Sequence, residues 1–117
     1  MHVTNRTRGT VLATRCEVAG NFLAQGLGLM GRAGIGDGAG LLIPHTNLIT
    51  MLFMRFAIDA VFIDRSWRVV SVKERLAPWV PAAGARGADS VIELPAGTAS
   101  RTGTQVGDEL TTEPART

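Results

Sequence analysis

Tyrosine is absent from this 117-residue chain, which carries one cysteine, two histidines and two tryptophans. The lone Cys16 excludes an internal disulfide and a cysteine metal cluster. With only His2 and His45 beside it, a tetrahedral zinc site would have to recruit carboxylates, and no spacing points to one. No metal or cofactor is therefore implied. No apolar run approaches the roughly 20 residues that span a bilayer. Residues 1–10 are polar and lack the apolar core of a secretory signal, so a cytoplasmic location is expected. Basic stripes are also missing. Twelve cations face ten anions for a net charge of +2, with no run of three cations. A nucleic-acid partner is not expected, because such a binder gathers its cations on one face. Among the cations only Lys73 is lysine; the rest are arginine.

What is present suits one globular core. Apolar residues make up 45% and charged residues 19%, and the mean hydropathy is +0.17, a balance that excludes a disordered chain. The length matches a single domain that folds without staples. Residues 10–112 are expected to form it, after a flexible segment over 1–9 and before a frayed tail over 113–117.

Residues 10–18 alternate as one strand, with Leu12, Thr14, Cys16 and Val18 on a shared face. Cys16 is then a buried, inert thiol. Asn21 is an N-cap for a helix to Arg32, with Phe22, Gln25, Leu29 and Arg32 at helical spacing. Gly26 and Gly28 each weaken that helix by about 1 kcal/mol. A glycine-rich loop over 31–40 leads to a short strand over 40–44 and a connector holding His45, read as an exposed or satisfied histidine rather than a ligand. Strands are expected over 51–57 and 59–64, then a tight turn at Asp64-Arg65-Ser66 into an antiparallel partner over 67–74. Residues 76–89 read as a long irregular loop around Trp79, and loops of that length are often functional. A strand over 90–94, a one- or two-turn helix from Pro95 to a terminating Gly103, a turn at Gly107-Asp108 and a short strand over 109–111 complete the chain. The order predicts an α+β fold: a curved, mostly antiparallel, partly barrel-like sheet against two short helices.

Three charges stand out. Arg55 and Asp59 lie among Met51, Phe53, Val61 and Ile63, and charges among apolar neighbours need partners. In an extended strand they would be about 13 Å apart, so either the chain bends near Ala57 or each has its own partner. Arg32 is the natural counterpart for Asp59. The arrangement serves as a strut between helix and sheet, or as a pocket where an arginine forks onto a carboxylate or phosphate. Trp79, among Pro, Ala and Gly, caps the core or touches a partner. Gly26-x-Gly28-x-x-Gly31 fits a dinucleotide fingerprint by letter only, because the glycines end a helix rather than open one. Met51 and Met54, at a spacing that puts them on opposite faces of a strand, are core filling rather than a metal pair.

Four stretches in order resemble the DUF192 (UPF0127) family, small bacterial and archaeal domains of unknown function. They are Gly28-Leu-Met-Gly-Arg32; Phe53-Met-Arg-Phe-Ala-Ile-Asp59 running into Val61-Phe-Ile-Asp64; Val69-Val-Ser-Val72; and Val91-Ile-Glu-Leu-Pro-Ala-Gly-Thr-Ala99 with Val106-Gly-Asp108. The resemblance covers residues 10–110 and implies a compact α+β domain with a curved sheet on two helices. The family usually has proline where Ala57 stands, and often histidine or asparagine at the place of Thr50 or Met51. It supplies no reaction, cofactor or partner. The expected function is thus a non-enzymatic module binding a small polar or anionic ligand in a cleft near Arg32, Arg55, Asp59 and Trp79. The alternatives are a hydrolase-like enzyme with Asp59 as base, or a protein-interaction domain working through the Trp79 loop.

Overall fold

Strand-forming stretches of Val, Ile and Leu dominate the architecture. The computed structural model describes residues 1–19 and 34–114. Among the described residues ten strands, β1 to β10 in chain order, are His2–Asn5, Thr10–Ala13, Arg15–Val18, Ala39–Pro44, Leu48–Ile49, Ile58–Ile63, Val69–Leu76, Ala83–Gly84, Ser90–Pro95 and Leu110–Glu113. They make a five-stranded sheet in the order β3-β4-β9-β6-β7, a three-stranded sheet in the order β10-β1-β2, and a small β5-β8 pair. All pairings are antiparallel except β3 with β4, which is parallel. One helix is found among the described residues, α1 at Thr98–Thr102. The mixed, mostly antiparallel α+β fold is as expected, but no closed barrel forms among the described residues, where β3 and β7 are the two outer strands of the larger sheet. The helix expected over 21–32 lies outside the described residues, and Arg32 with it.

The larger sheet is covered on both sides, so β6 is buried at every position. Val61, Ile63, Ile92, Leu94 and Leu42 point one way, into a core completed by Val3, Leu12, Ala13 and Leu110 of the smaller sheet. Ala60, Phe62, Val91, Leu41 and Ile43 point the other way, against Ile49, Met51 and Met54. This is the strand period of two working on a doubly covered sheet.

Three expectations are corrected. The opening residues are not a flexible lead: β1 runs between β10 and β2, with Val3 and Asn5 fully buried. Asn5 explains the polar exception, since its Nδ2 donates to Asp108 Oδ2 at 2.9 Å and to Thr104 Oγ1 at 3.2 Å. Residues 10–18 are two strands, not one. The chain turns at Thr14, where the N–H groups of Thr14 and Arg15 both donate to the Gly38 carbonyl at 2.9 and 2.8 Å, and it moves from the smaller sheet to the larger. Val18 is consequently exposed.

Residues 51–57, expected as a strand, form turns. Phe53 has φ 64°, a left-handed conformation that ends any extended run, and the Met54 N–H returns to the Met51 carbonyl at 3.1 Å. The turn lets Met51 and Met54 enter one core together, as core filling, where a strand would have split them. The chain does bend before Asp59, as one of the two alternatives required.

The hairpin from β6 to β7 follows expectation. Asp64 Oδ1 accepts from the Ser66 and Arg68 N–H groups at 2.9 and 3.0 Å, an Asx arrangement that fixes the turn. Trp67 packs at the edge of the first core. Gly103, φ 70°, ends α1 as expected, its N–H directed back at the Ala99 and Ser100 carbonyls.

Candidate functional site

A carboxylate in a strand of Ile, Ala, Val and Phe must be compensated, and Asp59 is compensated by backbone. It is 0% exposed. Oδ1 accepts from the Arg75 N–H at 2.9 Å, while Oδ2 accepts from the Gly97 and Ala99 N–H groups at 3.1 and 2.8 Å. Gly97, the residue at the start of α1, has no side chain with which to cap the helix. Asp59 reaches in from β6 and takes that role. Arg75 sits at an irregularity where Lys73 and Leu76, three positions apart on β7, face Ala60 and Ile58, two positions apart on β6. Its φ of 50° turns the N–H onto the carboxylate. Asp59 is thus a three-way pin joining β6, β7 and α1. No guanidinium among the described residues pairs with it.

Arg55 lies on the surface in the 51–57 turns, with no ion pair to any described residue. Trp79 is 56% exposed and packs against Phe53, 59% exposed, with ring centroids 5.0 Å apart and planes 60° apart. Of the residues expected around one cleft, Arg32 lies outside the described residues, Asp59 is a buried pin, and Arg55 and Trp79 are exposed. His45 is on the surface, 4.0 Å from the Asp89 carboxylate. Cys16 is buried, and burial pushes its thiol up to about 11, which leaves it protonated and inert at neutral pH.

The structure instead opens a recess elsewhere. A cavity of about 530 Å³ lies between β2, the turn at Asp37 and Gly38, the end of β9 and α1. Leu12, Pro95 and Ala96 give it apolar walls, and Thr14, Asp37 and Arg101 bring polar groups to it. Arg101, in the last turn of α1, is exposed and makes no side-chain bond to a described residue. The Gly97 and Ala99 N–H groups at the helix start are already held by Asp59 and are not free for a ligand.

Two more carboxylates complete the electrostatics. Burial works to raise the Asp108 pKa, but hydrogen bonds from Asn5, Arg8 and the Gln105 N–H outweigh it and hold the group below its ordinary 3.8. Glu93 lacks such help. It is 5% exposed on β9, its cross-strand neighbours are Leu41 and Ala60, and no described residue forms an ion pair or hydrogen bond with its carboxylate. Burial alone raises its pKa from 4.5 to about 7. Sequence reasoning passed over Glu93, although an acid inside Ser-Val-Ile-Glu-Leu-Pro invites the argument that singled out Asp59. Arg101 and Asp37 carried no local signal, because only the fold brings them to one recess.

Comparison with known proteins places these features in context. The family model DUF192, described as an uncharacterized ACR, matches residues 3–112. A UPF0127 protein of Thermococcus sibiricus is 34% identical over 113 residues, covering 91% of this chain and 71% of that protein. The crystal structure of a protein of unknown function from Novosphingobium aromaticivorans superposes with a TM-score of 0.82 at 26% identity, over 95% of this chain and 82% of that one. A Sinorhizobium meliloti protein, named as a candidate transcription regulator, superposes with a TM-score of 0.79 at 23% identity, over 94% and 89% of the two chains. The last is a likeness of fold alone.

Proposed function

The chain belongs to the uncharacterized DUF192 (UPF0127) family, and from its own geometry we propose that it is a non-enzymatic binding module for a small ligand carrying a carboxylate or phosphate. The observation that carries this reading is the recess of about 530 Å³ with Arg101 at its edge. Small-molecule sites occupy roughly 300–1,000 Å³, with mostly apolar walls and a few polar groups that fix orientation. Leu12, Pro95 and Ala96 supply the walls, and the Arg101 guanidinium supplies a planar fork for an oxyanion. Asp37 and Thr14 add an acceptor and a hydroxyl, which favours a ligand that is polar at more than one point. Asp59 is held by three backbone N–H groups, which argues against the hydrolase-like alternative with Asp59 as base.

A thermal-shift screen of organic acids, phosphate esters, nucleotides and sugars tests the reading. A ligand at 100 times its Kd stabilises by about 2.7 kcal/mol, a readable rise in Tm. Arg101→Ala is expected to leave the unliganded Tm nearly unchanged, as exposed substitutions shift stability by about 0.5 kcal/mol or less. The same variant is expected to abolish the ligand's shift. A ligand that stabilises both proteins equally would move the site away from Arg101.

A further inference from the structure

We propose that the surface built by residues 48–53 and 79–86 docks onto an anionic lipid bilayer, with Phe53 and Trp79 entering the interface and Arg55 and Arg86 meeting the headgroups. Leu48, Leu52, Phe53 and Trp79 are all large, apolar and exposed, three of them by more than half. They belong together in space. The Trp79 N–H donates to the Met51 carbonyl at 2.8 Å, the Met51 N–H donates to the Val80 carbonyl at 2.9 Å, and Leu48 pairs with Gly84 across β5 and β8. The Phe53 and Trp79 rings touch. Both residues hold left-handed backbone, φ 64° and 70°, which is rare for bulky side chains and is fixed here by that pairing. The result is a pair of rings presented outward on a pinned base.

Charge selects the occupant. Between residues 46 and 57 the only charged side chain is Arg55, and between 77 and 88 the only one is Arg86. Both are exposed, and the Ala85 N–H beside Arg86 donates to the Asn47 carbonyl next to Leu48. The apolar surface is therefore bordered by cations without an acid in either segment. A second copy would set like charges against each other. An anionic headgroup layer over hydrocarbon complements both properties at once: tryptophan favours the interface, and each nearby arginine adds attraction to acidic lipids.

The test is co-sedimentation of the whole chain with vesicles of phosphatidylcholine alone or mixed with phosphatidylglycerol. The protein is expected to sediment with the mixed vesicles, less so in high salt, and weakly with phosphatidylcholine alone. In a Trp67→Phe background, Trp79 emission is expected to shift to the blue with the mixed vesicles. Phe53→Ser combined with Trp79→Ser, and separately Arg55→Glu combined with Arg86→Glu, should each lower partitioning by about tenfold or more. Thermal melts identify folded variants, and the charge-reversal pair keeps the test open if the aromatic pair does not fold. Absence of sedimentation with the mixed vesicles, or sedimentation that neither folded variant weakens, overturns the proposal. So does a lipid-free dimer that buries Trp79, which would assign the surface to a second copy of the chain.

Discussion

Replacing Asp59 with alanine is expected to destabilise the fold by about 3–5 kcal/mol, because each buried donor left without an acceptor costs about 1–3 kcal/mol. Three donors lose their acceptor together: the N–H groups of Arg75, Gly97 and Ala99. The loss is large beside the roughly 5–15 kcal/mol that holds an ordinary domain together. Denaturant melts measure it, and hydrogen exchange locates it, since the Gly97 and Ala99 amides should exchange much faster while β4 stays protected. Asp59→Asn should fall between, retaining one acceptor oxygen but turning an NH₂ toward donors. A melt in which Asp59→Ala lost less than about 1 kcal/mol would mean that water satisfies the α1 start equally well.

The second large effect is a pH dependence with the opposite slope to that of most carboxylates. Glu93 has an ordinary pKa of 4.5 when unfolded and about 7 when folded. Between those values the unfolded chain has released its proton while the folded chain keeps it, so stability falls as pH rises. The contribution is intact below about pH 4.5 and gone above about pH 7, a change on the order of 3 kcal/mol. Asp108 acts in the other sense, because its pKa is lowered when folded; its stabilisation is lost as pH falls through its own depressed range. The two windows do not overlap. Glu93→Gln should flatten the fall between pH 5 and 8 (equilibrium unfolding at each pH measures it) and should be more stable than the wild type at pH 8. An unchanged slope in that variant would place the titration on another group.

The sequence made the alternating strands legible and the turns only partly so. Ile58–Ile63, Val69–Leu76 and Ser90–Pro95 carry β-branched residues at strand spacing, and each formed where expected to within a residue or two. The helix ending at Gly103 followed from glycine's ease in left-handed backbone. Residues 51–57 misled because Met, Phe and Ala fit a strand by composition. What ended it was a positive φ at Phe53, a conformation that its side chain does not advertise. The break at Thr14 was hidden for a different reason: its hydrogen-bond partner, the Gly38 carbonyl, is 24 residues away. Asp59 was rightly singled out as a charge needing counterparts, but those counterparts are amides, which every residue but proline carries and no sequence pattern marks. Arg101 comes to the recess only because α1 is set beside β2.

The position of β1 bears on how the protein is made. Val3 pairs with Ala13 on one side and with Thr112 on the other. At about 5–20 residues per second of translation, the second partner arrives roughly 5–20 s after the first strand has been synthesised. Until then the nascent chain can close the hairpin of β1 and β2 but leaves one rim of β1 open, with its N–H and C=O groups free to pair with a neighbouring polypeptide. The smaller sheet is therefore a late step of folding during synthesis, and a chaperone that shields that rim until β10 is made should raise the yield of folded protein.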